Sequence, residues 1–163
     1  MYHFISGYTA KVAGTERGIT EPTPNFSACF GAAFLTLHPT VYADILQKKI
    51  DEHGSQAWLV NTGWTGGSYG VGSRMSIKTT RSCINAILDG TANEAKCTED
   101  LVFGFHIPIS LKGVDSHVLN PRNTWDDKEL YDKTAYKLAG MFKKNFEKFV
   151  GHGSIDYTKY GPR

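Results

Sequence analysis

The chain has 163 residues, 40% of them hydrophobic and 21% charged, enough for one globular domain with a core of its own. Its 18 Lys and Arg nearly balance 16 Asp and Glu, and a net charge of +2 excludes a general polyanion-binding surface, so nucleic acid is not an expected partner. No apolar run approaches the roughly 20 residues of a membrane span, and the N-terminal MYHFI lacks a basic region leading into an apolar stretch. A cytoplasmic protein without a membrane partner is therefore expected, and Cys29, Cys83 and Cys97, odd in number and without metal-ligand spacing, fit free thiols there.

In chain order, Phe4, Tyr8 and Val12 recur at helical spacing and predict a short helix that ends near Gly14. Residues 14–22, GTERGITEP, form a polar loop, because two closely spaced prolines, Pro22 and Pro24, cannot continue a helix. Residues 26–37, FSACFGAAFLTL, read as a buried segment in which strand and helix cannot be told apart by period. A helix follows, with Val41, Ile45, Leu46 and Ile50 on one face, Pro39 at its start and Gly54 past its end.

Residues 57–62, AWLVNT, predict a buried strand that enters a loop with glycines at 63, 66, 67, 70 and 72. A helix is expected from about Thr79 to Leu88, stopped by Gly90, so strand, glycine loop and helix follow in the order of a nucleotide-binding turn. Residues 91–100 read as a polar loop, 101–109 (LVFGFHIPI) as a strand ending at Pro108, and 112–122 as irregular chain. Thr124-Trp125-Asp126-Asp127 resembles a capping box in front of the strongest helix, whose Tyr131, Ala135, Leu138, Phe142, Phe146 and Phe149 recur every three or four residues. No linker divides the chain, so residues 1–149 are expected as one domain and residues 150–163 as a loose tail.

Two stretches carry candidate chemistry. Arg17 sits on a glycine-flanked turn, where a guanidinium can fork to a phosphate or carboxylate, although from residue types alone a plain polar turn is the more ordinary account. The glycine loop is no Walker A motif, since no Gly-Lys-Ser/Thr occurs, but its exit holds Arg74, whose planar guanidinium can border a purine, and Met75, whose backbone can pair with the purine's polar edge. Thr80 can join them through its hydroxyl, although capping of the helix is an ordinary use for Thr79 or Thr80. The six histidines are dispersed without zinc spacing, and neither a nucleophile elbow nor a Cys-His pairing is visible.

Beyond residue types, four stretches resemble the ATP-dependent phosphoenolpyruvate carboxykinases: residues 4–31 (FISGYTAKVAGTERGITEPTPNFSACFG), 59–74 (LVNTGWTGGSYGVGSR), 76–81 (SIKTTR) and 113–125 (GVDSHVLNPRNTW). The resemblance runs in order from about Tyr2 to Phe149. It implies an α/β fold, here the C-terminal part of the family's nucleotide-binding lobe, with a mixed sheet and flanking helices. It implies conversion of oxaloacetate and ATP to phosphoenolpyruvate, carbon dioxide and ADP in gluconeogenesis.

By position, Arg17 corresponds to the family's phosphate-contacting arginine, a catalytic and ATP-binding role. Arg74 and Met75 correspond to the pair beside the adenine, and Thr80 to the threonine that completes that pocket; Met75 replaces a common isoleucine. The family's P-loop, its manganese or magnesium ligands and its oxaloacetate-binding residues have no counterpart in this chain. The resemblance thus implies a fragment that is inactive alone, and a noncatalytic truncated chain that binds nucleotide or packs against a partner is the alternative.

Overall fold

The structure, a computed structural model, describes residues 1–11, 17–18, 20 and 22–163. It is built of helices and small sheets, an α/β composition, in two compact units: Met1–Ala57 with Leu138–Pro162, and Trp58–Lys137 with Arg163. The mixed sheet expected from the family resemblance is replaced by three separate two-stranded antiparallel ladders. A physical reason lies in residues 57–62. The expected buried strand forms no regular element and pairs with no strand among the described residues, and Leu59 is 60% exposed. An apolar strand buries itself only when neighbours cover both faces.

The first unit begins with helix α1 (Tyr2–Ser6), far shorter than its spacing predicted. Gly7 ends it in the left-handed region at φ 59°, and its Cβ position would fall 1.6 Å from the Ser27 carbonyl oxygen, so only glycine fits there. The chain then turns into strand β1 (Tyr8–Lys11), which pairs with β2 (Thr23–Phe26) in the register Tyr8↔Phe26 to Lys11↔Thr23. Phe4 and Tyr8 are thus not on one helix. Residues 28–34, expected to be buried, form two short 3-10 turns around left-handed Cys29 and Phe30 (φ 52° and 59°). Ala28 is buried, while Phe34 is 87% exposed. The small side chains of this run lack the branching that favours a strand, and Gly31 breaks a helix.

Helix α2 (Pro39–His53) matches its signals, with Pro39 in its first turn and left-handed Gly54 donating its N–H to the Ile50 carbonyl. Its packed face differs from the expected one. Thr40 and Ala43 are buried, whereas Val41 and Ile45 face outward. That small face admits the end of the chain. The Asp44 carboxylate accepts hydrogen bonds from the Ser154 hydroxyl (2.7 Å), the Ser154 N–H (3.1 Å) and the Tyr157 hydroxyl (3.0 Å). Gly153, at φ 84°, lies so close that a Cβ would meet the Thr40 Cβ at 2.8 Å. Residues 150–162 are therefore anchored, not loose, and Tyr157 is buried.

The core of this unit is aromatic. Tyr2 stacks on Phe146 at a centroid distance of 3.9 Å, and Phe26 meets Phe142 edge to face at 5.3 Å. Phe142 and Phe146 come from the long helix that runs from Lys128 to Phe146, and Phe149 follows in a 3-10 turn. Their helical spacing has the structural meaning expected of it. Ser6 and Asn145 each bury a side-chain polar atom that has no hydrogen-bond partner.

The second unit contains the ladder β3 (Trp64–Thr65) with β4 (Ser73–Arg74), then helices α3 (Ile77–Leu88) and α4 (Thr91–Glu94). Strands β5 (Cys97–Glu99) and β6 (His106–Pro108) pair next, followed by short helices α5 (Ser116–Leu119) and α6 (Pro121–Thr124). The strand expected over 101–109 thus shrinks to its last part, since Asp100 caps a turn by accepting from the Val102 and Phe103 N–H groups. The polar loop of 91–100 and the irregular 112–122 both contain short elements that their turn-rich composition concealed. The long helix, α7 (Lys128–Phe146), starts on Asp127, whose carboxylate accepts from the Leu130 N–H at 2.9 Å. Arg122 clamps Asp132 on α7 with two bonds of 2.8 and 2.9 Å. Arg163 closes the unit through an ion pair with Glu99 and a backbone bond to Val102. No helix is long and apolar enough to cross a membrane among the described residues.

The Asp44–Tyr157 contact has a pH signature. Burial first, and then the hydrogen bond to Asp44, push the Tyr157 phenol up to about 12. Burial works against the Asp44 carboxylate, but the Ser154 and Tyr157 bonds outweigh it and hold it below the usual range. A raised phenol contributes stability that is complete below the ordinary tyrosine value and is lost as pH climbs to about 12. A depressed carboxylate contributes stability above the ordinary carboxylate value that is lost as pH falls through its lowered one. Spectrophotometric titration should show tyrosines ionising late, near 12, a class that contains Tyr157 and Tyr2 and shrinks in Tyr157→Phe. Asp44→Ala should cost about 1 to 3 kcal/mol in urea denaturation at neutral pH.

Candidate functional site

The glycine loop is a closed hairpin. Asn61 sets its start by accepting the Gly63 N–H on Oδ1 and donating from Nδ2 to the Trp64 carbonyl, both at 2.9 Å. The Met75 N–H donates to the Gly63 carbonyl at 2.7 Å and extends the β3–β4 ladder by one bond. The tip is tightened by the Val71 and Gly72 N–H groups on the Ser68 carbonyl.

Glycine is needed here for two different reasons. Gly66 lies at φ 80°, a conformation that side chains resist. Gly72 is needed for closeness, because a Cβ there would sit 2.7 Å from the carbonyl oxygens of both Gly67 and Thr65.

The hairpin is fixed to the body of its unit by one hydroxyl. Thr124 Oγ1 donates to the Pro121 carbonyl at 2.7 Å and accepts from Thr65 Oγ1 at 3.0 Å and from the Gly66 N–H at 3.1 Å. All the hydrogen-bonding capacity of a hydroxyl is thereby used. The sequence suggested capping for Thr124, but Asp127 caps α7 and leaves Thr124 for this task. A small polar residue ahead of a second cap candidate was the available signal.

Arg74, Met75 and Thr80 fall together at the exit of this hairpin. Arg74 is the last residue of β4 and is exposed, and Met75 follows it half-buried. Ser76 caps α3 by accepting from the Thr79 N–H at 3.0 Å, and its hydroxyl also meets Thr79 Oγ1 at 2.8 Å. The helix therefore starts earlier than expected. Capping is done by Ser76, so neither Thr79 nor Thr80 is the N-cap, and Thr80 stands half-buried in the first turn. Because the Met75 N–H is already bonded to Gly63, a backbone contact from Met75 to a base must use its carbonyl, an acceptor suited to an exocyclic amine.

Arg17 belongs to the other unit, in the β1–β2 connection, where it is exposed on a turn. Its neighbour Gly18 has φ 86°, and no described atom lies within 4 Å of where a Cβ would be. That glycine therefore serves the turn's conformation, and nothing described approaches it closely. Gly14, Thr15, Glu16, Ile19 and Glu21, the other residues of the motif apart from Thr20 and Pro22, lie outside the described residues. Cys29, Cys83 and Cys97 are free thiols, with burial raising Cys29 and Cys83 above the ordinary thiol value. Among the described residues no three His, Cys, Asp or Glu side chains gather as a metal would require. They offer no set for the manganese or magnesium that the resemblance implies.

Similarity to known proteins agrees with the resemblance. Residues 1–117 match the family described as phosphoenolpyruvate carboxykinase. The phosphoenolpyruvate carboxykinase (ATP) of Sulfurimonas denitrificans is 58% identical over 164 residues, covering 100% of this chain and 31% of that protein. Those of Lysinibacillus sphaericus and Mesorhizobium japonicum are 56% and 55% identical over 99% of this chain, which covers 31% and 30% of them. The chain belongs to the ATP-dependent phosphoenolpyruvate carboxykinase family. It spans about 31% of the length of these curated relatives.

Thr124→Val, which keeps the shape and removes the hydroxyl, should loosen the hairpin. Amide exchange at Gly66 and Met75 is expected to accelerate and stability to fall by about 1 to 3 kcal/mol, while Thr124→Ser stays near the parent. Gly72→Ala should act in the same direction, because two carbonyl oxygens must move. Unchanged exchange in Thr124→Val would show that the hairpin is held by other means.

Proposed function

We propose that this chain is the C-terminal portion of an ATP-dependent phosphoenolpyruvate carboxykinase acting in the cytoplasm in gluconeogenesis. The complete enzyme breaks the bond between oxaloacetate and its departing carboxylate, which leaves as carbon dioxide. The enolate oxygen formed then takes the terminal phosphoryl group of ATP and releases ADP and phosphoenolpyruvate. The placement rests on the resemblance of residues 4–31, 59–74, 76–81 and 113–125 to the family. Exposed apolar residues such as Leu88 (80%) and Ile77 (79%) fit a surface that more chain would cover.

The role proposed for the chain rests chiefly on the segment 74–80. Arg74, Met75 and Thr80 hold the adenine end of ATP at the exit of a hairpin kept in one shape by Asn61 and Thr124. The Arg74 guanidinium borders the ring, the Met75 carbonyl accepts from its amine, and the Thr80 hydroxyl completes the edge. Arg17 supplies positive charge to the transferred phosphoryl group, a task of positioning and electrostatics. The metal and the oxaloacetate-binding groups come from outside these residues. The 163-residue chain alone is therefore proposed to be inactive.

In the complete enzyme, Arg74→Ala should raise KM for ATP about fivefold to thirtyfold, the loss of a cation over an aromatic ring. Arg17→Ala should lower kcat by about a hundredfold to a thousandfold, the usual loss of one charge-stabilising donor. Normal ATP kinetics in both variants would contradict the assignment. Oxaloacetate-dependent turnover by the purified 163-residue chain would contradict its proposed inactivity. The other reading is a truncated noncatalytic chain. It predicts a stop codon just upstream of Met1 in the transcript, where the first reading predicts an in-frame segment encoding a Gly-Lys-Thr loop.

A further inference from the structure

Trp64 is the residue of the hairpin that sequence reasoning passed over. Trp64 and Arg74 are direct cross-strand partners. The Met75 N–H to Gly63 carbonyl bond fixes their pairing class. In an antiparallel ladder bonded and non-bonded pairs alternate, so a bond between positions 63 and 75 makes 64 and 74 a non-hydrogen-bonded pair. In such pairs the two side chains stand on the same face of the ladder at their closest spacing. Trp64 is 53% exposed, and Arg74 is exposed as well. The indole stands half in water beside Arg74, on a hairpin closed by its own glycines, Asn61 and Thr124.

Resting on the adenine assignment above, we propose that Trp64 is a nucleobase-stacking residue. Its indole and the Arg74 guanidinium form the flat, cross-strand walls against which a purine lies, and the site thereby takes purine nucleosides through their π-face. Two planar groups side by side give a flat surface on which a bicyclic base can lie, and aromatic stacking is sensitive to ring loss but tolerant of ring identity. Thr124 and Asn61 act on this pair as positioning residues, because they set the hairpin that aligns it.

The test uses adenosine and pyrophosphate as separate competitive inhibitors of the complete enzyme against ATP. Trp64→Leu should weaken inhibition by adenosine about tenfold and leave inhibition by pyrophosphate unchanged, while Trp64→Phe should restore most of the adenosine effect. A purely structural role for the indole would weaken both inhibitors together and lower the melting temperature, which would overturn the proposal. If Arg74→Ala weakens adenosine but Trp64→Leu does not, the stacking role falls and the adenine site stands. If neither variant affects adenosine, the adenine assignment falls with it. Photolabelling of the unmodified enzyme with 8-azido-ATP, which needs no folded variant, should place the label on Trp64 or on residues 74–75, and label confined to other residues would overturn the proposal.

Discussion

One threonine hydroxyl decides the shape of the candidate site. Thr124 joins the Pro121 carbonyl, the Thr65 hydroxyl and the Gly66 N–H across nearly sixty positions of sequence. A hairpin whose ladder spans two residues on each side is marginal by itself in water. With its root held by Asn61, its middle by Thr124 and its glycines too close for side chains, it becomes a fixed bracket. Arg74, Met75 and the start of α3 take their positions from that bracket. The proposed binding of a base then needs little reorganisation, which is how preorganised sites gain affinity.

The other unit uses the same economy of polar contacts at its own junction. A single carboxylate, Asp44, gathers three hydrogen bonds from the end of the chain, and Tyr157 is buried over it. The aromatic cluster of Tyr2, Phe26, Phe142 and Phe146 supplies the apolar burial that such a small core depends on. Helix α2 shows how the two contributions interact. Its small, polar face packs because Gly153 and Ser154 come close to it, and its aliphatic residues Val41 and Ile45 are left outside.

Much of the helical structure was legible in the residues. Pro39 and Gly54 bracket α2, and the recurrence of Phe142, Phe146 and Phe149 marks their buried face, because caps and helical period are local signals. Less was legible where long-range partners decide. The apolar run 57–62 has the composition of a buried strand but no strand beside it among the described residues. The end of the chain lacks periodicity, and its packing depends on Asp44, more than a hundred positions away. At the site, Arg74, Met75 and Thr80 were named from sequence, whereas Trp64 and Thr124 needed the register and the hydrogen bonds. Arg17 remains where the sequence put it, on an exposed glycine turn, in a unit separate from that of the other three.

The central claim is that the corner formed by β4 and the start of α3 receives the base of ATP. A crystal structure of the complete enzyme with a nonhydrolysable ATP analogue tests it most directly. The account predicts the adenine against Arg74 and Met75, with its exocyclic amine on the Met75 carbonyl. An adenine bound away from residues 74–80 would contradict it.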